Sequence, residues 1–343
     1  MGRSTFFLML LILVGGCGQL SNEDLVFLAA VPNAKEIELI VEEPLQEMNA
    51  QALIGEPAQY YIHARDAAHF LNTAVAELLT FVEALGQGYP PTQRTDSSRI
   101  WGPVQNVDNT GLTLRLEIRR NESVQDSSAT FTYCLHLGSD VAFSKGPITC
   151  EDTLVAGLQR ILWGTYEPRG ASEGARSGMG NMNFDFDALR ALGGGEGDEQ
   201  GLFAINYDFT AGGESKHIQI NWRTTPTAGE PLVVSYDYSR NLEGKVLFYW
   251  QLTLDVLTEE ELGEPFSDAL ELLTINAQWI EGQDGSADVL VEGGDLGPSA
   301  TAQIRECWDN RQLQTYARYE VSFPEPQVFT IGDAERCPTT EVP

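Results

Sequence analysis

Apolar and polar residues alternate strictly in two neighbouring segments, residues 112–118 and 130–137. Alternation with a period of two is typical of a β-strand that buries one face and exposes the other. A polar stretch, residues 119–128, separates the two segments. The pattern predicts a β-hairpin with one buried and one solvent-exposed face, and it puts Arg115, Glu117 and His136 on the exposed face.

The alternation returns in many later segments, which are joined by turn-rich links such as GGGEGDEQG and EGQDGS. Links of this kind connect antiparallel neighbours. We therefore expect about ten to twelve strands in one antiparallel meander, which must curl, close or split because of its size. The later segments are residues 182–186, 203–209, 218–222, 234–238, 246–254, 273–279, 287–291 and 316–323.

One segment has the helical period instead. Apolar residues spaced three or four apart run from about Arg65 to Leu85, while Gly86 and Gly88 are expected to end the helix. Its broad apolar stripe requires a large surface to cover it. The expected fold class is therefore mainly β: a large curved antiparallel meander, either an open or a half barrel, packed on one long N-terminal helix.

The start of the chain has the features of an export signal. Arg3 precedes an apolar run from Phe6 to Val14, which is too short for the roughly 20 residues that cross a bilayer but fits a secretory signal. Val14-Gly15-Gly16-Cys17 resembles the lipobox of bacterial lipoproteins. The resemblance implies that the leader is removed, that Cys17 is acylated and holds the protein on a membrane, and that Gly18 directs it to the outer membrane. An ordinary signal peptide with an incidental cysteine is the alternative.

The chain after the leader predicts two short elements. Ser21 and Asp24 have the spacing of a capping box, which predicts a short helix through Ala30. The alternation of Ile37, Leu39 and Val41 predicts one short strand. We therefore divide the chain into a signal peptide (1–16), an anchor and partly ordered tether (17–60) and a single helix-plus-sheet domain (61–343).

Charge and cysteine content restrict the partners and the compartment. The chain has 50 acidic against 21 basic residues, a net charge of −29, which repels nucleic acid and anionic head groups, so no nucleic-acid partner is expected. Basic peptides and divalent cations remain as partners. The alternative is an acidic surface that is solvated and has no specific partner. Four further cysteines in an exported chain predict two disulfides. Of the three pairings, we favour the local one, which joins Cys134 to Cys150 and Cys307 to Cys337.

Motifs for catalysis or metal binding are weak. Residues 170–174 match G-x-S-x-G but lack the strand and helix that a nucleophile elbow needs. His63 and His69 are six residues apart, which does not suit a metal pair on a helix, and His217 is expected on an exposed strand face. The acid-rich turns 194–200 and 284–295 do not fit the 12-residue calcium loop. We expect no enzyme, no cofactor and no metal.

Aromatic residues are the strongest candidate for a binding surface. The period of two places them on one face of the strands, where they form either a packed core or a cavity for an apolar ligand such as a lipid. The candidate residues are Phe184, Phe186, Tyr207, Phe209, Trp222 and Tyr236. On the other face, Asp185, Asp208 and Asp237 suggest a row of carboxylates that is solvated or paired with basic groups.

These features favour two function classes. The helix followed by a meander is similar in architecture to half-barrel proteins that carry lipids and lipoproteins in the bacterial envelope, and residues 282–309 resemble uncharacterised bacterial lipoproteins. The first expectation is an outer-membrane lipoprotein that binds an apolar small molecule without catalysis. The alternative is a structural or interaction protein of the envelope with a filled core.

Overall fold

The computed structural model describes residues 20–42, 54–105, 112–122, 129–143, 148–152, 154–155, 157–170, 176–193, 200–224, 232–254, 269–322 and 326–338. Cys17 and the segment that resembles a lipobox lie outside these ranges. In the described part of the chain, no helix combines the length and the apolar character that a membrane crossing requires.

The described helices are short, apart from one. The helices are α1 (Asn22–Leu28), α2 (Ala34–Ile37), α3 (Gln59–Gly88), α4 (Asp140–Phe143) and α5 (Phe186–Ala191). The predicted capping box is confirmed, because the Ser21 hydroxyl accepts from the Asp24 backbone N–H at 3.1 Å and the Asp24 carboxylate accepts from the Ser21 N–H at 2.9 Å. The predicted strand at residues 37–41 is wrong: α2 ends at Ile37, and no strand follows it in residues 38–42.

The long helix α3 begins and ends outside the predicted limits. It continues through Gly86, which lies against the Leu28 side chain where a Cβ atom would collide, and it stops before Pro90. Its start is capped from a distant part of the chain. The buried Glu306 carboxylate accepts the backbone N–H groups of Gln59 and Tyr60 at 2.8 and 2.7 Å, and these are donors that a helix start leaves without intrahelical partners.

The described strands form one antiparallel sheet that is not closed. The sheet order is β1-β2-β3-β4-β6-β7-β8-β9-β10-β11-β12-β13-β14-β15-β16, and β5 pairs with β6 beside this path. This confirms a mainly β fold with an antiparallel meander. The strands are β1 (Gln93–Arg94), β2 (Ser98–Gln105), β3 (Leu112–Glu122), β4 (Ala129–Ser139), β5 (Leu154–Val155), β6 (Leu158–Pro168), β7 (Gly178–Asp185), β8 (Leu202–Thr210), β9 (Ser215–Thr224), β10 (Leu232–Arg240), β11 (Lys245–Leu254), β12 (Glu271–Ile280), β13 (Gly285–Gly293), β14 (Thr301–Trp308), β15 (Gln314–Val321) and β16 (Gln327–Gly332).

The chain divides into two compact units. Unit 1 comprises Met1–Ile37, Ala74–Gly213 and Ile220–Pro231. In its described part, the core includes fully buried Phe27, Trp101 and Tyr133. The helix α1 is held on β2 by an ion pair between Arg99 and Asp24 with an N–O distance of 2.8 Å, and both side chains are almost fully buried.

Unit 2 comprises Glu38–Thr73, Glu214–Gln219 and Leu232–Pro343. The first turn of α3 contributes Tyr61 to its core, where the ring centroid lies 5.5 Å from those of both Trp279 and Trp308. Cys307 and Cys337 lie at disulfide distance, with Cα atoms 5.3 Å apart. The local pairing predicted for these two cysteines is therefore confirmed.

Six strands are missing from the sequence prediction: β1, β2, β5, β6, β14 and β16. The strands β6 and β14 show a physical reason. In β6 the neighbouring residues Ile161 and Leu162 are both buried, and the pairing with β4 shifts its register between Leu135 and His136. In β14 three consecutive residues, 306–308, are buried, and the pairing with β15 also shifts there. Such bulges break the period of two on which the prediction depends.

Candidate functional site

A polar cleft of about 540 Å³ lies in unit 1 between β2, β3 and the segment that follows α4. Its floor comes from β3, where alternate residues project on the same face. Three arginines and one glutamate supply its charged groups: Arg115, Arg119, Arg120 and Glu117. We call this site the arginine cleft. Its charged residues carry a net charge of +2, in a chain whose total is −29.

Glu117 organises the floor of the arginine cleft. Its carboxylate, which is 2% exposed, accepts from Arg115 Nη1 at 3.0 Å and is also bound by Arg119 Nε. Arg119 lies 3.7 Å from the exposed carboxylate of Glu151 as well. Charge-assisted contacts of this kind fix the planes of the guanidinium groups. One buried carboxylate therefore holds two of the three arginines in place.

Arg120 occupies the end of the cleft. Its guanidinium group lies over the Phe27 ring, 5.4 Å from the centroid, and its Nη2 atom donates to the Asp96 carbonyl at 2.7 Å. The Nε atom is buried and has no hydrogen-bond partner within the described residues. A buried N–H donor without an acceptor is costly, so this atom can gain from a further partner.

The wall of the cleft comes from β2, from the end of α4 and from residues 148 and 149. On β2, Gly102 has φ 93° and forms part of a bulge, and a Cβ atom there would collide with the Leu114 carbonyl. The cleft is also lined by Phe143, at the end of α4, and by Ile148 and Thr149. The apolar part of the lining, which we call the apolar wall, consists of Ile100, Pro103, Phe143 and Ile148, while hydroxyl and amide groups line the rest of the cleft, from Gln93, Ser97, Ser98, Asn121 and Thr149.

A disulfide fixes the second wall. Cys134 of β4 is bonded to Cys150, with Cα atoms 5.4 Å apart, as the local pairing predicts. Next to it, His136 Nε2 lies 3.0 Å from the Asp152 carbonyl oxygen, and burial lowers the pKa of His136 below its ordinary value. The Sγ atoms of Cys134 and Cys150 lie within 4.8 Å of a Glu117 carboxylate oxygen. Because the sulfurs are joined to each other, they do not offer thiolates to a metal.

These contacts correct the prediction of an exposed face on the hairpin of β3 and β4. The register has the predicted apolar pairs, such as Leu114 with Leu137. However, Arg115 and Glu117 are only 8% and 2% exposed, and His136 is fully buried. The physical reason is that the disulfide-bonded segment covers this face of the hairpin, and the ion pairs of Glu117 compensate for the burial of charge.

The six aromatic candidates lie in three clusters. In unit 1, Phe184 and Phe186 are 4.7 Å apart, and Phe186 is 6.0 Å from Trp222. Phe186 is the first residue of α5, not part of a strand. A second cluster in unit 1 contains Tyr207 and Phe209, whose centroids are 6.1 Å apart.

The third cluster, in unit 2, contains Tyr236, 6.1 Å from Phe248. Phe184, Tyr207 and Phe209 are buried, whereas Phe186, Trp222 and Tyr236 are half-buried. None of the six lines the arginine cleft. Their role in binding an apolar ligand stays a prediction.

The three aspartates of the predicted row have separate partners. Asp208 accepts from Arg169 at 2.7 Å, and Asp237 lies 2.8 Å from His217 Nε2. Asp185 instead caps α5 by accepting from the Ala188 N–H at 2.8 Å. Pairing with basic groups is thus confirmed for two of the three carboxylates.

The remaining candidates from the sequence have limited structural support. His63 and His69 are exposed residues of α3, and His217 is exposed as predicted. Residues 171–174 of the G-x-S-x-G match and residues 194–199 of the first acid-rich turn lie outside the described residues. The second turn, residues 284–295, is mostly occupied by β13.

Sequence reasoning missed the arginine cleft. Its signal is the alternation Arg115-x-Glu117-x-Arg119 followed by Arg120, in a chain with few basic residues. No protein-family model matches the chain, and comparisons with curated proteins and with solved structures also give no match. The function of the chain is therefore argued from its own site.

Proposed function

We propose that this protein is a non-catalytic binding protein, anchored by lipid in the bacterial envelope, and that the arginine cleft is its ligand site. The observation that carries the proposal is the cleft itself. Its volume of about 540 Å³ is in the range of small-molecule sites, and it combines an apolar wall with a few convergent polar groups, as such sites do. The preformed floor, fixed by Glu117, favours binding without a large rearrangement.

Membrane attachment rests on the leader and on Cys17. The four-residue segment Val14-Gly15-Gly16-Cys17 is similar to a lipobox, and the capping box that starts α1 follows shortly after it at Ser21. Acylation of Cys17 would therefore leave only a short link between the membrane and the first helix. Incorporation of radiolabelled palmitate into the wild-type chain, and its loss in Cys17→Ser, tests this part of the proposal.

Native mass spectrometry tests ligand binding. The complete chain with Cys17→Ser, purified without detergent, is expected to carry an additional mass of roughly a few hundred daltons, as for other small-molecule sites of this size. Adding Ile100→Trp fills the cleft and is expected to remove that mass. Ile304→Trp is the matched control, because Ile304 is also half-buried in a strand but does not line the cleft.

Each outcome of this experiment has a clear meaning. An additional mass that survives in Ile100→Trp but disappears when Phe186 and Trp222 are replaced would move the site to the aromatic clusters. If every variant has only the mass of its polypeptide, even after incubation with envelope extract, ligand binding is contradicted. The second function class, a structural or interaction protein, would then be favoured.

One observation favours that second class independently. The strand β16 is the last in the sheet order, and it exposes Val328 and Phe329 by 58% and 54%. Proteins usually shield apolar residues on edge strands, because such strands pair readily with other chains. A photoreactive side chain at position 329 that crosslinks to one protein in intact envelopes would support an interaction role.

A further inference from the structure

We infer that the arginine cleft binds the oxyanion of an amphiphilic ligand, a phosphate or carboxylate group, through Arg119 and Arg120. This inference rests on the proposed function and deepens it by naming the ligand class. The sequence pointed to a purely apolar ligand, whereas the cleft combines cationic and apolar groups. The ligand that matches both is an acid with a hydrocarbon portion.

The arginine cleft carries an excess of positive charge. Arg115 and Glu117 form a buried pair at 3.0 Å, so the charge of one compensates the charge of the other. Arg119 and Arg120 then supply the excess positive charge among the residues that line the cleft. Each has a further ion pair, at 3.7 and 3.9 Å respectively, but these partners are exposed carboxylates that do not line the cleft, and such pairs are weak in water. The side chains of Arg119 and Arg120 are 32% and 25% exposed, which leaves them accessible to a ligand. In a chain with a net charge of −29, two partly exposed arginines that line one cleft make a locally positive site.

The same two arginines supply hydrogen-bond donors for an oxyanion. Guanidinium groups bind phosphate and carboxylate oxygens in a fixed, often bidentate geometry. The Glu117 carboxylate already holds Arg119, so little side-chain entropy is lost when a ligand binds. The buried Nε atom of Arg120 has no acceptor within the described residues. The Arg120 side chain is 25% exposed, so a rotation of its guanidinium group toward the cleft lets an oxyanion supply that acceptor.

The apolar wall of the cleft suits a ligand with a hydrocarbon portion. Ile100, Pro103, Phe143 and Ile148 line the same cleft as the arginines. A free inorganic anion leaves this wall in contact with water, whereas a ligand with a hydrocarbon portion covers it and gains roughly 25 cal/mol for each Å² of apolar surface buried. The cleft is large enough for a head group together with the first part of a chain.

Isothermal titration calorimetry tests the inference with three probes. The protein is the complete chain with Cys17→Ser, and the probes are dihexanoyl phosphatidate, inorganic phosphate and uncharged dihexanoyl glycerol. We expect phosphatidate to bind most tightly and glycerol lipid weakly or not at all. Arg119→Gln and Arg120→Gln are each expected to weaken phosphatidate binding about tenfold or more, because each removes a charge-assisted contact. Added salt is expected to weaken it as well.

Arg318→Gln is the matched control. Arg318 is an exposed arginine of β15 that is paired with Glu320, and it does not line the cleft. Its replacement removes the same charge from the chain and is expected to leave the affinity unchanged. Thermal unfolding of each variant separates loss of binding from loss of structure. Arg119→Gln removes one of the two ion pairs of buried Glu117 and is expected to lower the midpoint, whereas Arg120→Gln, whose ion pair is with an exposed carboxylate, is expected to change it little.

The probes also separate the sources of the oxyanion and the two levels of the proposal. Equal affinity for phosphate and phosphatidate supports a soluble anion as the ligand, whereas a preference for phosphatidate supports a lipid head group. Equal binding of phosphatidate and the glycerol lipid, unaffected by Arg119→Gln or Arg120→Gln, would overturn the inference and leave the proposed binding function intact. Absence of binding by all three probes in a folded protein would overturn the inference, and the native mass experiment would then decide the proposed function.

Discussion

The buried carboxyl group of Glu306 is expected to make the free energy of unfolding depend on pH. Its carboxyl group is 1% exposed and caps the start of α3 through the N–H groups of Gln59 and Tyr60. Burial raises its pKa to about 7, although the two backbone hydrogen bonds act in the opposite direction. The perturbation is Glu306→Gln, which keeps a carbonyl acceptor for one N–H group and removes the titration.

The sign and the size of the change in the free energy of unfolding follow from this pKa. An unfolded glutamate has a pKa of 4.5, against about 7 in the folded protein. Between these values the folded state retains a proton that the unfolded state has released. The free energy of unfolding therefore falls as the pH rises from 4.5 to 7, and at 1.36 kcal/mol for each pKa unit the total loss is about 3 kcal/mol. Above pH 7 this loss is complete.

Urea unfolding followed by tryptophan fluorescence measures the effect. The free energy of unfolding is determined for the wild type and for Glu306→Gln at several pH values between about 5 and about 8. The difference between the two proteins is expected to change by about 2.5 kcal/mol across this range, in favour of the variant at high pH. Glu320→Gln on neighbouring β15 is the control, since Glu320 is partly exposed and pairs with Arg318. Parallel curves for the wild type and Glu306→Gln would refute the reasoning.

Two further substitutions test packing in unit 1. Gly180→Ala adds a Cβ atom 2.7 Å from the Tyr207 hydroxyl and against the Thr165 carbonyl, so we expect the free energy of unfolding to fall by about 1–3 kcal/mol, measured by urea unfolding. Asp24→Asn breaks the buried pair with Arg99 and is expected to cost about 3–5 kcal/mol at neutral pH by the same assay. Burial raises the pKa of Asp24, but its hydrogen bonds outweigh burial and hold the pKa below the ordinary range, so this loss should shrink as the pH falls below about 3.9.

The outcomes that contradict these two predictions are distinct. An unchanged unfolding midpoint for Gly180→Ala would mean that the Tyr207 ring does not lie over β7. For Asp24→Asn the control is Asp208→Asn, which removes one member of a partly exposed pair with Arg169. That control is expected to cost less than about 1 kcal/mol. Equal losses for the two variants would argue against a buried pair at Asp24.

The sequence predicts correctly those elements whose characteristic pattern lies within one short segment. The capping box at Ser21 satisfies its donors within four residues, and strict alternation in residues 112–118 marks β3 without reference to any other segment. Elements that depend on a bulge were missed, because at Ile161 and Leu162 two consecutive residues are buried. The residue Phe186 continues an alternating pattern, but Asp185 caps a helix there, and local capping outweighs the strand pattern.

The candidate site was not predictable for a related reason. The pattern correctly separates Arg115 and Glu117 from the apolar face of β3, but whether the second face meets water depends on a segment more than thirty residues further along the chain. That segment is fixed by the disulfide between Cys134 and Cys150. The sequence predicts that bond, yet it does not show which surface the bond covers. The arginine cleft is formed where this disulfide-bonded segment meets β2.

The cap on α3 also has a consequence for the order in which the protein folds. In the sheet order, successive strands along the chain are mostly direct neighbours, so a strand finds its partner soon after it is synthesised. The contact of Glu306 with Tyr60 joins residues separated by 246 positions. Closing such a long loop carries a large entropic cost, and contacts of this kind form slowly. The start of the long helix therefore acquires its cap only after β14, near the end of the chain, has joined the sheet.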